Sequence, residues 1–145
     1  MKNLVKIFVL SGILIPSLFF GQTRCDSLGG IVKGMLNENN DSFYSNGQSY
    51  KYFFGEDENA EIITTFYEGT TYRIATSAGL EDNYMIFEIL DQKRNLLFSN
   101  TDFSNEPYWD FKVENTLECT IEAKLDPNKK LNGCAQLIIA FKKGN

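Results

Sequence analysis

The chain has 145 residues, a formal charge of −5, three cysteines and no histidine. That length accounts for one domain of ordinary size, and the acidic balance argues against a nucleic-acid backbone as partner. The missing histidine removes Ser–His and Cys–His nucleophilic machinery and the commonest zinc ligand.

Residues 1–21 read as a secretory signal. Lys2 and Lys6 form a positive start, an apolar run follows to Phe20, and Gly21 is small enough to precede a cleavage bond. The apolar run is broken by Ser11, Gly12, Pro16 and Ser17, and it falls short of the roughly 20 residues a membrane span needs. Membrane contact is therefore expected only through the signal. Cys25 raises the alternative of a lipid anchor, but Arg24 directly before it does not suit lipidation. The expected cut lies between Gly21 and Gln22. Phe19 is bulky for its place before that bond and leaves the position less sharply defined. Cleavage removes both lysines and makes the secreted or periplasmic domain more acidic.

Residues 22–42 are expected to form an N-terminal helical segment and a connector. Leu28, Ile31, Val32, Met35 and Leu36 fall near a 3.6-residue period, Asp26 or Ser27 can cap the start, and Gly29, Gly30 and Gly34 oppose the helix. Residues 37–41 are polar turn formers.

Residues 43–145 are expected to form the β-sandwich domain. Short runs rich in aromatic and β-branched residues recur between turn signals, at about 50–54, 60–67, 71–76, 85–90, 96–99, 108–114, 117–125 and 135–143. Leu117, Cys119, Ile121, Ala123 and Leu125 alternate with polar residues, the mark of a strand with one face in water. About eight strands, with a helix only before them, predict an all-β fold. The expected form is an antiparallel, jelly-roll-like sandwich, with a closed barrel as the structural alternative.

Strand phase bears on the cysteines. Cys119 falls on the inward face of its strand. In the last strand Ala135, Leu137, Ile139 and Phe141 make the inward set, which puts Cys134 outward at the strand's entrance. A hairpin of the last two strands sets Leu125 opposite Cys134 and leaves Cys119 far away. The expected disulfide joins Cys25 to Cys134, with Cys119 a buried free thiol. A chain with no disulfide is the alternative.

The run Phe66-Tyr67-Glu68-Gly69-Thr70-Thr71-Tyr72-Arg73-Ile74 is followed by the 85–90 strand, an Asp91-led turn and a Trp109-Asp110-Phe111 strand. Over residues 58–143 this pattern resembles the pre-peptidase C-terminal type of jelly-roll domain appended to secreted bacterial proteins. The ending, from Gly133 to Lys142, is similar to small exported proteins of Bacteroidetes. The resemblance implies a non-catalytic accessory or binding module. No catalytic domain accompanies it in this sequence.

Candidate chemistry is sparse. Asp91, Asp102, Glu106 and Asp110 lie in or beside loops, and two of them across a cleft would make a small secreted hydrolase. Nothing in their spacing pairs them. Asn100, Asp102, Asn105 and Glu106 gather hard oxygen ligands in one loop, so calcium is the one cofactor the chain offers. The spacing is not that of an EF-hand, and turn chemistry accounts for these residues equally well. Binding is the stronger expectation. Tyr108, beside Pro107 and near Phe103, is expected outward, and Tyr44, Tyr50 and Tyr52 are further candidates for exposed rings. Of these, Tyr108, Phe103 and Tyr50 are the chosen binding residues. The expected role is a non-enzymatic module binding protein or glycan at the cell envelope.

Overall fold

The computed structural model describes residues 23–38, 41–79 and 83–143, and the signal segment with its cleavage bond lies outside them. Within these residues the chain forms one helix, α1 (Thr23–Met35), and eight strands. The strands are β1 (Tyr44–Phe54), β2 (Asn59–Phe66), β3 (Thr70–Ser77), β4 (Met85–Asp91), β5 (Leu96–Ser99), β6 (Tyr108–Lys112), β7 (Leu117–Leu125) and β8 (Gly133–Lys143). They build two four-stranded sheets, ordered β1-β8-β3-β6 and β2-β7-β4-β5, and every pairing is antiparallel. Two Greek keys folded over one another give this order, which is that of a jelly roll.

The core between the sheets follows from period-two alternation. In β7 the side chains Cys119, Ile121, Ala123 and Leu125 are buried, while Glu118, Thr120, Glu122 and Lys124 point away. They meet Phe87 and Ile89 of the same sheet and Ile74, Leu137 and Ile139 of the other. Each strand thus has an inward face dictated by its own sequence.

The expected hairpin between β7 and β8 does not form. β7 lies between β2 and β4, whereas β8 lies between β1 and β3 in the opposite sheet. Residues 126–132 carry the chain across the end of the sandwich instead of reversing it in place. The phase of β8 is nonetheless as its alternation implies, with Ala135, Leu137 and Ile139 inward.

The outward face of β8 is also dry. α1 lies across it, and Val32, Met35 and Leu36 pack on Ile138, Ala140, Ala75 and Phe43 to form a second, smaller core. This explains why the central strand β3 is buried on both faces from Tyr72 to Ser77. A disulfide joins Cys25, in the first turns of α1, to Cys134 at the start of β8, with Cα atoms 5.4 Å apart. Cys119 is the free and buried thiol. Lys33 in the last turn and Asp26 in the first match the helix dipole.

Candidate functional site

The open flanks of a sandwich lie where the edge strands of its two sheets face each other. On one flank these edges are β5 and β6. After β5 the chain makes a 3-10 turn over Asn100–Phe103, capped at its start by the Ser99 side chain and ended by Ser104 in the left-handed region. Asn100 pins the turn from inside. Its side-chain oxygen accepts from the Phe87 N–H at 2.9 Å, and its amide donates to the carbonyls of Met85 at 3.0 Å and Glu106 at 3.1 Å. The next loop is fixed by Asn105, whose amide donates to the buried Asp126 carboxylate at 2.8 Å.

That scaffold sets Phe103 against Trp109, ring centroids 4.2 Å apart, and against Phe98 at 5.8 Å with nearly parallel planes. Phe98 and Trp109 close the triangle at 5.1 Å. Phe98 reaches in to Phe87, so the group is rooted in the core. Phe103 remains 44% exposed, and Leu96 and Leu97 of β5 are exposed beside Phe98 in the chain. Asp102 and Glu106, next to this surface, are exposed and join no ion pair among the described residues.

The three residues chosen from sequence are not brought together. Phe103 is central to the aromatic flank. Tyr108 points to the other side of β6, where it is half-buried with its ring 4.4 Å from the Arg73 guanidinium carbon. Burial there raises its hydroxyl pKa, helped by a hydrogen bond to Glu38. Tyr50 is half-buried on the inner face of β1, on the opposite edge of the same sheet, in register with the core residue Leu137. Tyr52 also packs on the core, and only Tyr44 of that group is exposed. Tyr108 is expected outward because strand alternation ranks one face as solvent, and Tyr50 is a further candidate for an exposed ring. Here the inner face of β1 opens at a flank, and the outer face of β6 lies under the α1 side of the sheet.

The carboxylate and calcium expectations change in the same way. Both oxygens of Asp110 accept from Arg73, at 2.6 and 2.7 Å. Asp91 caps the β4–β5 turn, accepting from the backbone of Lys93 and Asn95 and from the Asn95 side chain, each at 2.8 Å. The Asn95 bonds hold its carboxyl below the usual value. These acids act on the fold. Among the calcium candidates, Asn100 is fully buried with its oxygen committed to Phe87, while Asp102 and Glu106 face solvent. No group of three or more His, Cys, Asp or Glu side chains is placed to hold a metal among the described residues.

Sequence reading missed Arg73. It is 1% exposed beneath α1. Besides Asp110 it donates to the Met35 carbonyl and approaches Asp41 at 3.7 Å, and its guanidinium carbon lies over the rings of both Phe43 and Tyr108. The hydrogen bond to Asp110 chiefly raises its pKa, so it stays charged. The signal in the sequence was that Arg73 shares its strand face with the apolar Ala75.

On the other flank the edges are β1 and β2. β1 carries a bulge between Ser45 and Ser49, with Gly47 at φ 94°. A groove of about 540 Å³ opens there, lined by Gln48 of β1, Ile63 and Thr65 of β2, Tyr67, Tyr72 and Phe141. A smaller depression of about 170 Å³ lies between residues 55–58 and Lys130.

Neither a protein-family model nor a curated protein matches the sequence. Among solved structures the chain is similar to PliG of Aeromonas hydrophila, a periplasmic inhibitor of g-type lysozyme. The TM-score is 0.51 with 9% identity, over 65% of this chain and 84% of that one, so the likeness is one of fold.

Proposed function

We propose that this chain is an exported, non-catalytic β-sandwich that binds a protein at the cell envelope, and that the Phe98–Phe103–Trp109 flank is its contact surface. The observation that carries the reading is a stacked three-ring surface, held rigid by Asn100 and bordered by the unpaired acids Asp102 and Glu106. Aromatic anchors within a polar rim are the usual anatomy of a protein-binding hot spot. The rings pack on one another, which leaves Phe103 the most exposed of the three, an arrangement that suits protein side chains better than sugar stacking. The acidic rim and the net charge of −5 favour a basic partner.

Export rests on the signal pattern of residues 1–21 and on the Cys25–Cys134 disulfide, which belongs to an oxidising compartment. The non-catalytic reading rests on Asp91 and Asp110 being engaged in the fold, which leaves Asp102 and Glu106 as the free acids of the four, and on the lack of histidine. The resemblance to pre-peptidase C-terminal domains points to the same accessory role.

The fold shared with an inhibitor of g-type lysozyme makes that enzyme the first partner to test. Calorimetric titration of the exported protein into a g-type lysozyme is expected to show binding that weakens with salt. Phe103→Asp is expected to weaken it at least about tenfold, a central truncation effect. Absence of binding removes lysozyme as the partner. Binding untouched by Phe103→Asp moves the surface elsewhere.

A further inference from the structure

Four edge strands bound the two sheets, and three of them are blunted. β5 has four residues, β6 has five, and β1 is broken by its bulge at Gly47. Short length and bulges are how sheet proteins keep free edges from pairing with other chains. β2 has neither. It runs for eight residues, holds unbroken register with β7 through all of them, and contains no proline, lysine or arginine. Its other edge has no strand beside it among the described residues. Ile63 on this strand is the most exposed large apolar side chain among the described residues, at 72%. The 540 Å³ groove runs beside this edge, and its floor includes Tyr72 and Phe141 from the opposite sheet.

The outer face of the same sheet carries a second feature. Glu61 of β2 stands opposite Glu122 of β7, which stands opposite Glu88 of β4. Three glutamates thus form a row across neighbouring strands, and like charges directly opposite one another destabilise a sheet. The Arg94 side chain pairs with Glu61 and Glu122, and the row ends at the open edge. Glu118 adds another acid to this face, and Lys124 is the further base.

We infer that the free edge of β2 accepts an added strand from a partner protein, an extended segment with apolar side chains on its inward face and basic ones on its outward face. The inward residues fill the groove over Tyr72 and Phe141, next to Thr64. An outward Lys or Arg beside Glu61 extends the glutamate row with the opposite charge, and the aliphatic stem of the next outward Lys or Arg covers Ile63. Main-chain hydrogen bonds to β2 supply affinity, as in other strand-addition modes. A second copy of this chain is the poorer occupant, because it brings its own glutamates to an acidic face.

The test uses the exported, disulfide-bonded protein and an acetylated peptide of about ten residues with alternating valine and lysine. Controls are a peptide with the same residues in two blocks and an alternating valine–glutamate peptide. The alternating valine–lysine peptide at millimolar concentration is expected to slow amide hydrogen exchange at alternate residues within 59–66. The blocked and glutamate peptides are expected to leave exchange unchanged. Ile63→Lys puts an edge-guarding charge on an exposed site without touching the core, and is expected to weaken peptide binding at least about tenfold. Glu61→Gln is expected to weaken it less. Phe103→Asp is expected to leave it unchanged, which separates this site from the aromatic flank. The inference is overturned by no protection in β2, by equal protection from the blocked peptide, or by protection confined to another edge. Concentration-dependent protection of β2 without peptide also overturns it, since a second copy then occupies the edge.

Discussion

Arg73 shows how one side chain can tie separate parts of the chain together. Its guanidinium contacts the end of α1 through Met35, the connector through Asp41 and Phe43, and β6 through Asp110 and Tyr108. Removing one member of a buried ion pair leaves the other uncompensated. Arg73→Ala is expected to lower unfolding stability by about 3 kcal/mol, whereas Lys51→Ala, at an exposed pair with Asp26, is expected to change it by less than about 1 kcal/mol. Urea denaturation of the two variants measures both. Cys119 supplies a pH-dependent counterpart. Burial, assisted by Asp91 and Glu118, pushes its thiol pKa from 9.0 to about 11. The unfolded chain therefore loses the proton first, and stability is expected to fall as pH rises from 9.0 to about 11. At pH 8 a thiol reagent is expected to react with Cys119 only after unfolding. The inward phase of Cys119 was readable from five alternating residues of β7. The burial of Arg73 was not, because it depends on which element covers the far side of the sheet.

At the scale of elements, α1 is the member whose own sequence supports it least. Three glycines fall within its thirteen residues, and each costs a helix interior roughly 1 kcal/mol relative to alanine. The helix stands because Val32, Met35 and Leu36 are buried and the disulfide holds its start. A Cβ at Gly30 or Gly34 meets nothing within 4 Å, while one at Gly29 touches the Gln136 side chain at 3.5 Å. Gly30→Ala and Gly34→Ala are each expected to stabilise the protein by about 0.5–1 kcal/mol, read as a rise in melting temperature. The helix itself was legible from its apolar period, and the Cys25–Cys134 pairing from strand phase. The partners of β7 and β8 were not, since a hairpin and a crossover look alike in local sequence. Only the two-sheet arrangement separates them.

For the whole molecule, the jelly-roll order explains why the sequence pointed to Phe103 without pointing to the rings it stacks on. Phe103 is singled out in the sequence for its place near Tyr108, which strand phase turns outward. What makes it more than an exposed ring is contact with Phe98 and Trp109, and those meet only because β5 and β6 are edges of different sheets on the same flank. Tyr50 and Tyr108 were chosen on the same local grounds, and the topology sends them to opposite edges of one sheet. The two flanks that result differ in chemistry, one aromatic with an acidic rim, the other an unguarded edge beside a groove. The claim that the aromatic flank binds a protein is tested most directly by a photo-crosslinking phenylalanine analogue at position 103, with the same analogue at Glu114 as a control. Both proteins are expressed with their signal segment in a cell that exports them. A covalent adduct with one basic envelope or extracellular protein is expected from position 103 and none from position 114. No adduct from position 103, or the same adducts from both positions, would contradict that claim.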